Sequence, residues 1–321
     1  MRYPLKLTAP LKDYLWGGQR LKQEYGKQSE LPKIAESWEL SCHKDGTSVI
    51  ANGEAAGMLL SDYIEQQGKE ILGSNASSFE YFPMLIKLID AADCLSVQVH
   101  PDNEYALRAE GEYGKTEMWY IVDCEEGASL IYGFDREISR EEFARRIEEN
   151  TLLEVVRQVP VHKGDVFFIE AGTLHAIGKG ILIAEIQQNS NTTYRVYDFG
   201  RVGPDGKPRQ LHVEKALEVT SLKPVSRKPE PEGKPEQKRG YTDTLLAHCE
   251  YFTVRRLEIE YCAQLMADAS SFQSLLVLDG EMELDYGFDS IALFKGDSVL
   301  VPADMGEYEL TGSGTVLLSS L

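Results

Sequence analysis

Short apolar stretches separated by turns recur along this chain, and most of them have the period of a β-strand. Residues 34–41 alternate apolar with polar side chains, as a strand with one buried face does. Residues 83–90 form an almost continuous apolar run with one lysine, Lys87, inside it. Extended segments of this kind dominate the chain, so the pattern predicts a mainly β protein.

Helices are few and are marked by capping residues. Residues 60–72 are predicted to form one helix, and Asp102 is placed to cap a second, short one. Ser139 and Thr151 each begin a capping-box pattern, which predicts a small helical pair. This pair would interrupt the β structure as an insertion near residues 136–159.

A β unit occurs twice in the sequence. Residues 164–172 are echoed in the same register by residues 296–304, and residues 122–134 are echoed by residues 277–288. Internal repetition constrains the fold strongly. The stretch from 223 to 240 is rich in proline, lysine and glutamate, which is typical of an exposed connection.

Short strands in a duplicated unit are typical of a double-sheet jelly roll. We therefore predict two jelly-roll units with a small helical insertion. The first domain would span residues 1–235, including an N-terminal extension, and the second would span residues 236–321.

Composition narrows the class of protein. The 321 residues are 42% hydrophobic and carry a net charge of −19, which disfavours nucleic acid or an anionic membrane as a partner. No apolar run of membrane-spanning length and no apolar signal core occur, so a cytoplasmic location is expected. The five cysteines are scattered, which argues against disulfides and against a thiolate metal site.

Candidate chemistry starts at residues 95–102. Residues i and i+2 of a strand share a face, so Gln98 and His100 would face one space while Val97 and Val99 pack into apolar surroundings. Lys87 has two interpretations. It either reaches solvent along its stem from an edge strand or lies in a cleft with a charged partner.

Three further segments can supply polar groups to the same space, namely residues 114–120, 169–175 and 185–195. Two histidines, one carboxylate and one amide oxygen would fit a divalent metal in an open, catalytic site. Taken singly, each histidine is also consistent with an ordinary surface or core residue, because no compact ligand motif is present.

The order of these segments resembles a known family. Gln-Val-His-Pro-Asp at 98–102, Gly-Lys-Thr-Glu-Met-Trp-Tyr at 114–120, Ala-Gly-Thr-Leu-His-Ala at 171–176 and Asn-Ser-Asn-Thr-Thr-Tyr-Arg at 189–195 look like the signature segments of class I, zinc-dependent mannose-6-phosphate isomerases. The short bacterial branch, which lacks a large helical insertion, is the most similar. The resemblance extends from residue 14 into the second β unit.

That resemblance implies a fold, a cofactor and residue roles. The fold would be of the cupin type, with one zinc ion per chain held by Gln98, His100, Glu117 and His175. The second unit would lack a metal, because Glu307 takes the place of the ligand histidine there. Arg195 would be the catalytic arginine, Lys115 and Glu185 are rival proton-transfer bases, and Trp16 and Lys87 would bind substrate.

The implied activity is the interconversion of mannose 6-phosphate and fructose 6-phosphate through a cis-enediol. The partner would be this small sugar phosphate, and the chain would be a monomer or a weak homo-oligomer. Two alternatives stay open, since fold and ligand type do not decide the reaction. One is a sugar-binding cupin without turnover, and the other is an iron-dependent cupin dioxygenase, which also uses two histidines and a carboxylate.

Overall fold

The computed structural model describes residues 2–203 and 206–321, and strands account for most of its regular structure. The strands of the N-terminal half are β1 (Leu5–Thr8), β2 (Leu11–Lys12), β3 (Glu36–Leu40), β4 (Cys42–His43), β5 (Gly46–Thr47), β6 (Val49–Ile50), β7 (Met84–Ala91), β8 (Val97–Val99), β9 (Glu117–Cys124), β10 (Ser129–Phe134) and β11 (Val156–Pro160). Those that follow are β12 (Val166–Ile169), β13 (His175–Ala176), β14 (Ile181–Gln188), β15 (Tyr194–Tyr197), β16 (Glu236–Gln237), β17 (Tyr241–His248), β18 (Thr253–Ile259), β19 (Cys262–Ala267), β20 (Gln273–Tyr286), β21 (Asp289–Phe294), β22 (Ser298–Val301) and β23 (Gly306–Ser320).

The helices are short and lie between the strands. They are α1 (Arg20–Gln23), α2 (Leu60–Gln67), α3 (Asn103–Ala109), α4 (Arg140–Glu148) and α5 (Val213–Val219), with 3₁₀ turns at Lys69–Leu72, Ser74–Ser78 and Leu152–Glu154. In the described part of the chain, no helix is long and apolar enough to span a membrane.

Two sheets form the first unit. One has six strands in the order β12-β9-β14-β7-β3-β2, and the other has five in the order β11-β10-β13-β8-β15. Apolar side chains from both sheets, among them Trp119 and Phe167 of the first and Tyr132 of the second, pack into one buried cluster. The predicted mainly β, double-sheet architecture is therefore confirmed. Polar residues at the strand ends of the two sheets lie close together.

The second unit repeats the strand pairing of the first. In the first unit Glu117 pairs with Ile169 across β9 and β12, and in the second Gln273 pairs with Val301 across β20 and β22. Both pairs lie at the same end of a strand that follows a Gly-Asp turn. The duplication expected from sequence is thus present as a duplicated strand register.

The N-terminal extension joins the second unit. Strand β1 pairs with β22, Leu5 opposite Leu300, and β6 pairs with β1, so that both strands extend the ten-stranded sheet of the C-terminal half. The predicted boundary at residue 235 stays a prediction. The C-terminal sheet nevertheless includes residues from both sides of it.

Two predicted helices need correction. The helix expected over residues 60–72 ends at Gln67, because Gly68 has a positive φ of 87° and only a 3₁₀ turn follows. The second of the predicted helical pair is one 3₁₀ turn, and Thr151 makes no side-chain cap there. The caps at Asp102 and Ser139 are confirmed, since each side chain accepts a hydrogen bond from the residue three positions later. The insertion is accordingly smaller than predicted, because β11 starts at Val156.

Candidate metal centre and active-site cavity

The strand at residues 97–99 places Gln98 and His100 as its alternation requires. Val97 and Val99 are fully buried in an apolar cluster, and the intervening Gln98 faces the other side of the sheet. His100 follows directly, and its Nδ1 lies 2.9 Å from the backbone carbonyl oxygen of Thr192. This contact anchors the imidazole at one nitrogen.

His175 reaches the same space from the neighbouring strand. It is paired with Gln98 across β13 and β8, and its Nδ1 lies 2.8 Å from the carbonyl oxygen of Thr173. Since a carbonyl can only accept, the hydrogen-bond network assigns the proton of both His100 and His175 to Nδ1. Each Nε2 therefore presents a lone pair.

Both lone pairs face the carboxylate of Glu117, the first residue of β9. Nε2 of His175 lies 3.3 Å from Oε1, and Nε2 of His100 lies 3.9 Å from Oε2. One ligand atom from each of the three residues lies within 4.8 Å of the other two, and all three side chains are buried. Acceptors held this close repel one another unless a cation lies between them.

The protonation equilibria agree with a cation site. Burial lowers the pKa of His175 to about 4 and also holds that of His100 well below its usual value, so both are neutral near pH 7. Burial, with the nearby Glu185 carboxylate, raises the pKa of Glu117 to about 7. The Lys115 ammonium lies 2.8 Å from Oε2 of Glu117 and 3.3 Å from Nε2 of His100, whereas Oε1 of Glu117 has no hydrogen-bond partner among the described residues. The donor set fits a divalent metal with nitrogen and oxygen ligands.

Gln98 lies beside this set. Its Nε2 is 3.4 Å from Nε2 of His175, and its Oε1 is 3.4 Å from the Ser96 hydroxyl. The amide contacts one of the three ligands, His175, and its assignment as a fourth ligand stays a prediction.

A cavity of about 310 Å³ lies beside this set, and its lining includes Gln98 and Lys115, which contact His175 and Glu117. Its polar lining comprises Glu36, Ser96, Gln98, Lys87, Lys115, Glu185, Asn191, Thr193, Arg195 and Arg209. Trp16, only 5% exposed, forms part of the apolar wall. Four cationic side chains and two carboxylates line the cavity, which is a local excess of positive charge in a chain of net charge −19.

Lys87 lies in the cavity and not at a sheet edge. Its strand β7 is central, between β14 and β3, and Nζ lies 3.1 Å from Glu185 and 3.6 Å from Glu36. Burial alone would raise the pKa of Glu185, but the ammonium groups of Lys115 and Lys87 outweigh it and lower this pKa to about 2. Glu185 is therefore a carboxylate near pH 7.

Two arginines line the same cavity. Arg195 donates from Nε to the Ser96 hydroxyl and from Nη1 to the carbonyl of Gln210. Arg209 donates from Nε and Nη2 to Asp198, which also accepts from Arg201. Burial and the positive charge of Arg209 lower the pKa of Arg195. The two guanidinium groups therefore repel each other electrostatically.

Arg209 and Glu36 are cavity residues that the sequence did not single out, whereas Asn191 and Thr193 lie in the segment 185–195 that was predicted to supply polar groups. Arg209 follows a turn-rich segment with no strand period, and nothing in its local sequence places it near Arg195. In the sequence, Glu36 is one of several polar positions in a predicted strand, and nothing marks it as a cavity residue.

The second unit carries a different arrangement at the corresponding place. Glu307 was expected there, but its side chain is exposed, and the neighbouring Tyr308 points inward instead. The Tyr308 hydroxyl donates to Oε1 of Gln273, the residue that corresponds to Glu117. Within residues 2–203 and 206–321, no second cluster of metal-ligating side chains occurs.

Comparison with known proteins gives a consistent result. Residues 5–127 match the model of the phosphomannose isomerase type I catalytic domain, and residues 242–321 match that of the mannose-6-phosphate isomerase cupin domain. The chain is 38% identical to mannose-6-phosphate isomerase from Streptococcus mutans, over 99% of this chain and 98% of that protein. A solved structure, the mannose 6-phosphate isomerase from Bacillus subtilis, superimposes with a TM-score of 0.92 at 35% identity and covers 99% of both chains.

Proposed function

Because the chain belongs to the type I mannose-6-phosphate isomerase family, we propose that it interconverts mannose 6-phosphate and fructose 6-phosphate in the cavity beside His100, Glu117 and His175. The observation that carries this proposal is the convergence of two imidazole lone pairs on a buried carboxylate beside a cation-lined cavity.

We propose zinc as the metal, with His100, Glu117 and His175 as ligands and Gln98 as a fourth. Neutral imidazoles and a carboxylate suit zinc, and a site with three or four protein ligands and access from a cavity is of the catalytic kind. When bound, the metal supplies Lewis-acid polarisation of the sugar oxygens at C1 and C2. The residues of this chain supply binding, orientation and proton transfer.

The charges of the cavity suggest how the sugar phosphate lies. Arg195 and Arg209 both line the cavity, and the Asp198 carboxylate fixes the Arg209 guanidinium through two hydrogen bonds. A phosphate dianion would be held there by charge-assisted hydrogen bonds, which leaves the reacting carbons near Lys115 and Glu185. Trp16 and Lys87 would then contact the sugar.

Proton transfer between C1 and C2 needs a base within the cavity. We propose Lys115, because its Nζ lines the cavity and lies 3.3 Å from Nε2 of His100 and 2.8 Å from Oε2 of Glu117, within reach of a sugar bound at the metal centre. Glu185 is the alternative. It is ionised at all relevant pH values, but its low pKa of about 2 makes it a weak acceptor.

The cations separate this function from its rivals. A phosphosugar isomerase needs cations to bind the substrate phosphate, whereas an oxygenase acting on apolar substrates does not. The cavity is lined by four cations, Lys87, Lys115, Arg195 and Arg209. A sugar-binding protein without turnover would not need a buried base beside the metal ligands.

A coupled assay of fructose 6-phosphate formation from mannose 6-phosphate tests the proposal. We expect turnover by the purified chain, loss of turnover after chelation, and recovery on adding zinc. Full turnover in the chelated, metal-free protein would contradict the metal mechanism, and absence of turnover in the zinc-loaded protein would contradict the function.

Arg209→Met is expected to raise KM for mannose 6-phosphate about 10-fold or more, because it removes a charge-assisted hydrogen bond worth about 1.5–3 kcal/mol. Steady-state kinetics would measure the effect, with inhibition by inorganic phosphate weakened in parallel. Arg201→Met is the matched control, since Arg201 contacts the same Asp198 carboxylate but is not part of the cavity lining. Equal losses in both variants would mean that Arg209 acts through Asp198 and not on the phosphate.

A further inference from the structure

The loop between β14 and β15 touches the metal centre without belonging to either strand. Asn191 and Thr193 line the cavity, and the intervening Thr192 supplies the carbonyl oxygen that faces Nδ1 of His100 at 2.9 Å. The position of this carbonyl sets the tautomer and the ring orientation of His100. The contacts that hold the loop therefore bear on the ligand.

Glu112 holds the loop through two consecutive residues. Its Oε2 accepts the backbone N–H of Asn191 at 3.3 Å and the hydroxyl of Thr192 at 3.2 Å. Glu112 lies outside the regular elements, between α3 and β9, and its side chain is 15% exposed. A carboxylate that is hydrogen-bonded to both residues restricts rotation of the peptide that joins them.

Glu112 is itself fixed from the opposite side. The Lys44 ammonium lies 2.6 Å from Oε1, and Nε2 of His43 lies 3.5 Å from the same oxygen. His43 accepts the N–H of Asp45 at Nδ1, so its own proton is on Nε2 and faces Glu112. Burial would raise the pKa of Glu112, but the hydrogen bonds from Lys44 and Asn191 outweigh it and lower this pKa.

We infer that Glu112 is a positioning residue of the metal centre, acting through Thr192 to orient His100. The inference rests on the proposed metal site and adds a residue that does not touch the metal, the substrate or the cavity. Groups that orient a ligand imidazole through its second nitrogen typically change metal affinity by about 10- to 100-fold when removed. Glu112 is one step further away, so the lower end of that range is expected.

Zinc affinity, measured by competition with a chromophoric chelator, is the test. Glu112→Ala should weaken zinc binding about 10-fold. Glu112→Gln keeps an acceptor oxygen for the two loop donors but turns its amide N–H toward Lys44 and His43, so it should restore affinity only in part. Lys44→Met removes one group that fixes Glu112 but leaves both loop hydrogen bonds in place, so it should weaken zinc binding less than Glu112→Ala does.

The outcomes separate this inference from the proposed function. Wild-type affinity in Glu112→Ala, or equal losses in Glu112→Ala and Glu112→Gln, would overturn the positioning role while the metal site stands. A wild-type chain that binds no zinc would overturn the metal site itself, and the positioning role with it. Thermal unfolding of each variant shows whether a loss of affinity is local or follows from a general loss of stability.

Discussion

His175→Ala is expected to lose stoichiometric zinc and to reduce turnover to the background of the assay. His175 supplies one of the three converging ligand atoms, and its ring is fully buried with Nε2 3.3 Å from Glu117. An open site with so few ligands loses most of its affinity when one is removed. Metal content by elemental analysis and activity in the coupled assay would measure both losses.

The fold should survive this substitution. His175 lies in the two-residue strand β13, whose pairing with β8 and β10 is made by the backbone. The matched control is His162→Ala, because the side chain of His162 is 79% exposed and distant from the ligand set. A full complement of zinc in folded His175→Ala would defeat the ligand assignment.

Arg195→Ala is expected to lower kcat by about 10²-fold or more while zinc stays bound. Two of the guanidinium nitrogens are fixed by Ser96 and Gln210, and Nη2 has no hydrogen-bond partner within the described ranges. A cation fixed in this way can stabilise negative charge that develops in the transition state. Arg195→Lys should restore activity only in part, since an ammonium replaces a planar group with a point charge.

Lys115→Met separates the base from the arginine. If Lys115 moves the proton, this variant should lose exchange of the C2 proton with solvent deuterium, whereas Arg195→Ala should retain slow exchange. Normal exchange in Lys115→Met would assign the base to Glu185. Wild-type kcat in Arg195→Ala would remove Arg195 from the mechanism.

The local sequence pattern was sufficient to predict the strands and helix caps that position the site residues. Strand β7 (Met84–Ala91) matches the apolar run at residues 83–90 to within one residue, and Asp102 caps the helix that follows His100, because both depend on neighbours in sequence. The facing of Gln98 and His100 likewise follows from strand alternation. These elements account for the placement of Gln98 and His100.

Strand register and contacts between residues distant in sequence could not be predicted from the local sequence pattern. A shift of one residue turns a strand side chain to the opposite face, which is why Tyr308 and not Glu307 points into the second unit. Arg209 and Glu112 lie in irregular segments with no period to reveal their direction. The pairing of β1 with β22 joins residues almost 300 positions apart, which no local pattern encodes.

The most direct test of the central claim is the position of the metal, measured by anomalous diffraction at the zinc edge from crystals of the zinc-loaded protein. If His100, Glu117 and His175 are the zinc ligands, we expect one strong peak per chain, within about 2.0–2.2 Å of Nε2 of His100, Nε2 of His175 and a carboxylate oxygen of Glu117. A peak bound by other residues, or none at this site in a protein that turns over mannose 6-phosphate, would contradict it.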